Sequence, residues 1–283
     1  MLRGPLMIEG KIAGKPVHSE LRPPNAESGR SATALAQVAA SPVAAVRWAE
    51  GSPKGGLPDP LAAAEVVNGL LEQARALGIE PFYSDDFEEF VRQRLALRGA
   101  IPSPMFDPAV GRLQDKAFWL GARNKQGEVV SLQAYRLDYV DTSLAEWAVG
   151  WMAGLYLKRH ELMVPAYLEP PSNSRAGKVR GRLVYHGEIW LCPTLKNRGY
   201  FDTMPFLGML LAHLKWYPVA IWGLVNDQMA KHGHVIRMHY THLEPSFLRW
   251  QHCPEGIPNN EWLVLADRDT LNFWVAEKSV RGA

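Results

Sequence analysis

Arg182-Leu183-Val184-Tyr185-His186-Gly187-Glu188-Ile189-Trp190-Leu191, then Cys192-Pro193-Thr194-Leu195, then Lys196-Asn197-Arg198-Gly199-Tyr200-Phe201, is the stretch that decides the fold. Its first part is rich in β-branched and aromatic residues and reads as a strand that Pro193 ends. Beyond Tyr200, the apolar residues Met204, Leu207, Leu210, Leu211 and Leu214 recur at helical spacing. A strand, a short basic turn carrying a glycine, and a helix N-terminus together form an anion cradle. Free backbone N–H groups and the positive end of the helix dipole both face a phosphate there.

The flanking chain builds on this centre. Downstream, Ala220–Val225 is a short apolar strand, 226–233 a short helix ending in glycine, and His234–Met238 a resumed strand. Glu261–Ala266 is another strand, and Leu271–Glu277 a last strand or helix edge. Upstream, Leu61–Leu77 has a helical stripe stopped by Gly78, and Asp85–Leu97 a second one with Ser84 as its expected N-cap. Ala117–Arg123 and Glu128–Leu137 flank Asn124-Lys125-Gln126-Gly127 as a hairpin. Thr142–Glu161 reads as a helix bearing Trp147, Trp151 and Tyr156, followed by an irregular stretch from Pro165 to Gly181. Residues 1–58 are rich in Ala, Pro, Gly and Ser without sustained period, and are expected to form a disordered or loosely attached arm.

Two helices, a hairpin, a third strand, a phosphate-type turn, a helix, a strand and a short helix ending in glycine make an order that resembles the GNAT superfamily of N-acetyltransferases. The resemblance covers about residues 80 to 277. It implies an α/β fold, a mixed, twisted sheet flanked by helices, over 59–283, with 142–181 as a helical insertion. It also implies transfer of an acyl group from acetyl-CoA or another acyl-CoA to a small-molecule or peptide amine. Two positions depart from the family pattern. Phe201 stands where a small residue lets the backbone approach the pyrophosphate, and Met229 stands where a tyrosine general acid is common.

The resemblance nominates site residues. Glu188, on the strand before the cradle, is the expected general base, with His186 expected on the same face because strand faces alternate. Tyr240 is a candidate replacement for the missing acid, alongside Tyr200 and His232. Leu191 and Cys192 offer the oxyanion backbone. Lys196, Asn197, Arg198, Gly199 and Tyr200 are the coenzyme contacts, and Asn226 matches a pantetheine-contacting asparagine. Trp151 and Tyr156 of the insertion are expected to line the acceptor pocket. Each has a plainer role open to it: Glu188 as a polar-face residue, the cradle as a solvated basic loop, Asn226 as a helix cap, the tryptophans as packing.

Composition sets outer bounds. The 283 residues are 47% hydrophobic and 21% charged, with a net charge of +2. That is a globular composition with no bulk charge to argue for nucleic acid or an anionic membrane. Two cysteines, Cys192 and Cys253, cannot build a disulfide scaffold, so a reducing, cytoplasmic setting is expected. No metal is expected, although His232, His234, His239 and His242 keep a metal-dependent hydrolase open as a weaker alternative. A GNAT-like module that has lost catalysis and serves in binding or regulation is the other alternative. A homodimer is left open.

Overall fold

The computed structural model describes residues 59–161, 164–167 (backbone), 173–195, 199–253 and 257–281. The expected arm, 1–58, and three cradle residues, Lys196, Asn197 and Arg198, lie outside the described residues.

The described chain runs α1 (Pro60–Ala76), β1 (Glu80–Ser84), α2 (Phe87–Arg98), β2 (Ala117–Arg123), β3 (Val129–Val140), α3 (Leu144–Lys158) and β4 (Val164–Tyr167). It continues through β5 (Gly181–Leu191), α4 (Tyr200–Trp216), β6 (Ala220–Val225), α5 (Asp227–Lys231), α6 (His234–Arg237), β7 (His242–His252), β8 (Asn260–Asp267) and α7 (Arg268–Arg281). The strands form one eight-stranded sheet in the order β1-β2-β3-β5-β6-β8-β7-β4. Every neighbouring pair is antiparallel except β5 and β6, which run parallel. The α/β expectation, a mixed sheet flanked by helices, is what is observed.

Local chemistry fixes the helix ends. Asp59 accepts from Leu61 N–H, and Pro60 pre-sets the first turn of α1. Asp86, not Ser84, caps α2 by accepting from Glu89 N–H at 3.0 Å, while Ser84 Oγ accepts from Asp86 N–H. Gly99 closes α2 at φ 68°, a left-handed conformation glycine adopts without steric cost. Ser143 and Glu146 form a reciprocal capping box on α3.

The sheet separates two apolar layers. On one face, Phe87 and Phe90 of α2 and Leu144, Ala148, Met152 and Tyr156 of α3 pack on Trp119, Leu183, Tyr185, Trp222, Leu263 and Leu265. On the other, α1 and α4 pack over Leu120, Ala122 and Val130, and α4, α6 and Leu271 pack over Val184, Ile221, Val264 and Ala266. No helix among the described residues is long and apolar enough to cross a membrane.

Four expectations are corrected. His234–Met238 is the helix α6, started by Gly233 at φ 72°, rather than a strand. Leu271–Glu277 lies inside the helix α7. The stretch from Pro165 to Gly181 is not wholly irregular, because β4 pairs antiparallel with β7 at the sheet edge. The strands β1 and β7 were not expected; each contains a proline, Pro81 or Pro245, that interrupts the period-two pattern.

Candidate active site in the cleft between β5 and β6

The two parallel strands pair only over Leu183↔Ala220, Val184↔Ile221 and Tyr185↔Trp222. Beyond that they part. The gap holds a cavity of about 370 Å³, lined by His186–Ile189 on β5 and Gly223–Asn226 on and after β6. Gly223 sits at the fork. A Cβ there would lie 2.7 Å from the His186 carbonyl oxygen, so no larger residue fits without spreading the strands.

A β-bulge shapes the β5 wall. Leu132 pairs with Trp190 and Ala134 with Gly187, so β5 carries one residue more than β3 across this step. Glu188 takes up the extra length at φ 57°. The expected alternation therefore fails at Glu188. His186 stacks on Tyr135 in the α4-side layer, at 4.3 Å between ring centroids. Glu188 instead reaches the α2 side, where Oε2 accepts from Arg94 Nε at 2.7 Å and Oε1 accepts from Ser103 N–H at 2.8 Å. This buried carboxylate is committed to a guanidinium and a backbone donor, an arrangement that holds a wall together and does not supply a free base.

On the α4 face, a buried polar chain holds Tyr240 in the cleft. Gln133 Nε2 donates to the Met204 carbonyl at 2.7 Å, which turns Oε1 toward His186 Nε2 at 3.1 Å. His186 Nε2 therefore carries the hydrogen, and Nδ1 accepts from Tyr240 O–H at 2.8 Å. Burial pushes the imidazole down to about 3, so it is neutral. His186 orients Tyr240; it relays nothing to Glu188 on the other face. Burial also raises the Tyr240 phenol above its ordinary value, keeping its proton on. Met229, where the resemblance implies a tyrosine, lines the same cavity as Tyr240. Of the other expected replacements, Tyr200 is buried away from the cavity, and His232 is exposed on α5's end with Nδ1 against the Gln228 carbonyl.

On the α3 face, Tyr156 lines the cavity. Trp151 does not. Its ring stacks on Trp147 at 4.7 Å and meets Tyr185 edge-on at 5.5 Å, so it belongs to the layer beneath. Glu261 of β8 was not expected at the site. It shares its face with Leu263 and Leu265, which α3 covers, and its carboxyl reaches the cavity wall. Oε2 accepts from Trp250 Nε1 at 2.8 Å. Desolvation by the cleft walls pushes this carboxyl up to about 7, against the smaller opposing effect of the Trp250 hydrogen bond.

The described part of the cradle gives a mixed result. Gly199 adopts φ 81° at the N-cap of α4, as a tight strand-to-helix turn requires. Tyr200 is buried, with its hydroxyl bonded to Ser131 Oγ, so its side chain is part of the core and not a coenzyme contact. Cys192 N–H donates to the Val130 carbonyl at 2.8 Å and is spent on the sheet rather than free for an oxyanion. Leu191 ends β5 opposite Ser131, away from the cavity. Asn226 lines the cavity while its Oδ1 caps α5 through Met229 N–H, so its plainer role holds and the other stays open. Phe201 stacks on His234 at 5.0 Å. Asp202, in the first turn of α4, is held by both Nε and Nη2 of Arg237. Among the described residues, no group of three or more His, Cys, Asp or Glu side chains is placed to share a metal ion.

Most of the element order expected from the resemblance is observed: α1, α2, the β2–β3 hairpin, β5, the glycine turn, α4, β6, then α5 running into Gly233; β1 between α1 and α2, and the helix α6 where a strand was expected, depart from it. The fold is a mixed eight-stranded sheet with helices on both faces. No family model and no curated protein matches the chain. Among solved structures, Arabidopsis thaliana NAA60 in complex with a bisubstrate analogue is similar at 11% identity and TM-score 0.35, covering 66% of this chain and 97% of that one. FeeM, an N-acyl amino acid synthase from uncultured soil microbes, is similar at 13% identity and TM-score 0.36, covering 68% and 92%. A chimera of the Vibrio cholerae spermidine N-acetyltransferase SpeG and hSSAT is similar at 9% identity and TM-score 0.38, covering 69% and 98%. The sequence signals that made the fold legible were the glycine turn and the strands around it. Glu261 carried a quieter signal, a carboxylate on the same strand face as Leu263 and Leu265.

Proposed function

We propose that this chain transfers an acyl group from an acyl-CoA, acetyl-CoA or a longer homologue, to an amine. The observation that carries the proposal is the parting of β5 and β6. Among the described residues, the facing edges of two parallel strands past Tyr185 and Trp222 have no strand partner across the gap, although each strand is paired on its outer side. Their backbone donors and acceptors are what an extended amide-bearing arm needs as a third strand. The same β5 leads through Pro193 and Gly199 to the N-terminus of α4, whose positive dipole end is the proposed place for the coenzyme's phosphates. Lys196 and Arg198 are proposed to add charge there.

The residues divide the chemistry by face. The cavity is lined on the α4 side by Met229, Met238 and Tyr240, and on the α3 side by Tyr156, Glu261 and Ile257. A thioester held between the strands has Tyr240 O–H on one side, to donate to the leaving sulfur, and the acceptor amine arriving from the other. Backbone N–H groups on the parted edges are the proposed oxyanion donors, in place of Cys192. Holding both reactants in the gap supplies much of the acceleration.

Titration calorimetry with acetyl-CoA and with a long-chain acyl-CoA tests the donor site, followed by thiol release in the presence of amines. Binding with turnover supports the proposal; no binding of either donor overturns it. Phe201 and Met229 favour a second reading, a binding module without catalysis. Donor binding with no thiol release for any amine selects that one.

A further inference from the structure

We propose that Glu261 binds the acceptor's ammonium group and is the base that removes its proton; this deepens the acyl-transfer reading above and rests on it. Three carboxylates line the cavity: Glu161, Glu188 and Glu261. Two are already matched with cations, Glu188 with Arg94 at 2.7 Å and Glu161 with Arg159 at 2.5 Å. Among the described residues Glu261 has no cationic partner. Among the described residues its hydrogen bond is the Trp250 indole on Oε2, and the side chain lines the cavity.

The groups around Glu261 sharpen the point. From α3 comes Tyr156 and from β5 comes Tyr185, both held in the neutral phenol form by burial. From β7 comes the neutral Trp250. Further along the wall Arg94 pairs with Glu188, Arg159 is shared between Glu161 and Asp107, and Arg98 lines the same cavity. A carboxylate in this setting lacks a counter-charge, and an incoming ammonium supplies it. Without one, the carboxyl is pushed up to about 7, where it is half ionised near neutral pH and suited to both taking and releasing a proton. The substrate class that fits is a primary amine arriving as a cation, not an alcohol or an already neutral aromatic amine.

The protons balance as follows. Glu261 takes one proton from the ammonium and loses it to water, leaving the neutral amine. The amine nitrogen attacks the thioester carbon; as the C–N bond forms, its second proton passes to Glu261 Oε1. The C–S bond breaks, and the departing thiolate takes the Tyr240 hydroxyl proton, which turns from His186 Nδ1 toward the sulfur; solvent then reprotonates the phenolate and Glu261 releases its second proton to water.

The test is Glu261→Gln, an isostere of the protonated acid, assayed with acetyl-CoA and a panel of primary amines from short alkylamines to a lysine-bearing peptide. Donor affinity is expected to stay within twofold and turnover to fall about 10²–10⁴-fold. The acidic limb of wild-type kcat/KM near pH 7 is expected to vanish. Independently of activity, the ¹⁵N-indole resonance of Trp250 is expected to titrate with a midpoint near pH 7 in wild type and to stay flat in Glu261→Gln. An active wild type whose Gln variant keeps both turnover and acidic limb overturns the proposal, and so does a Trp250 resonance that does not titrate between pH 5 and 9. A titrating Trp250 in a protein that neither binds acetyl-CoA nor acylates any amine overturns the acyl-transfer reading, and the base role with it.

Discussion

His186 and Glu188, two residues apart on β5, project from opposite faces of the sheet, because Glu188 lies in the bulge that adds a residue to β5 between Gly187 and Trp190. An unbroken strand would have put a neutral imidazole beside the carboxylate on the α4 side. The bulge gives each its own partner, Tyr240 for His186 and Arg94 for Glu188.

The Arg94–Glu188 pair is expected to act as a structural tie. Arg94→Met strands a buried carboxylate and should cost about 3–5 kcal/mol. The double variant Arg94→Met/Glu188→Gln should recover most of that, because the amide oxygen still accepts from Ser103 N–H. Urea denaturation of the three proteins reads this directly. Turnover of Glu188→Gln should fall far less than that of Glu261→Gln.

Gly223→Ala is expected to close the donor site. Its Cβ would meet the His186 carbonyl oxygen at 2.7 Å, and a backbone oxygen cannot swing away. The strands must spread or the fork must shift, at a cost of about 1–3 kcal/mol. Calorimetry should show acetyl-CoA affinity falling at least tenfold in a protein that still unfolds cooperatively.

Stability against pH should separate the two perturbed groups. The Glu261 carboxyl sits near 7 in the fold against an ordinary 4.5, so its contribution is full below 4.5 and is lost as pH rises through 7. The advantage of Glu261→Gln over wild type should therefore grow by about 3 kcal/mol across that window and then level off. His186 works the other way. Its folded value near 3 lies below the ordinary 6.5, so its contribution is full above 6.5 and is lost as pH falls toward 3. In wild type the two slopes oppose each other between pH 4.5 and 6.5; in Glu261→Gln the acid sensitivity of His186 should stand uncovered in a denaturation series.

Tyr240→Phe removes the hydroxyl and leaves His186 Nδ1 without its donor. Turnover should fall about 10²-fold or more with donor affinity nearly unchanged. Adding Met229→Tyr places a phenol on another side chain of the same cavity, and partial recovery of turnover in the double variant would locate the acid role in the cleft rather than in one residue.

Much of the fold was legible because it is local. The strands at Ala117–Arg123 and Ala220–Val225 carry continuous apolar or aromatic runs, and their observed bounds match the pattern. The fork itself was not legible, since it depends on where β5 stops pairing with a strand that lies beyond an intervening helix. The bulge was hidden for the same reason: a non-glycine residue at φ 57° is imposed by register with β3, not by its neighbours. Trp151 looked like a pocket residue because aromatic side chains suit pockets and cores alike, and only its stacking on Trp147 decides between them. Glu261 was passed over as the polar end of a strand. Counting faces from Leu265 and Leu263 would have placed it under α3, where an acidic residue calls for an explanation.

The gap between β5 and β6 is lined from both sides of the sheet, and that has a consequence for the order of events. On the proposed acyl-transfer reading, donor and acceptor approach from opposite faces, and neither is expected to have to leave before the other arrives. Both can be resident at once, and initial-rate plots should intersect rather than run parallel. A relay through Cys192 has no place in such traffic: its thiol sits past the end of β5 beside the Thr194 hydroxyl, outside the passage the two reactants share.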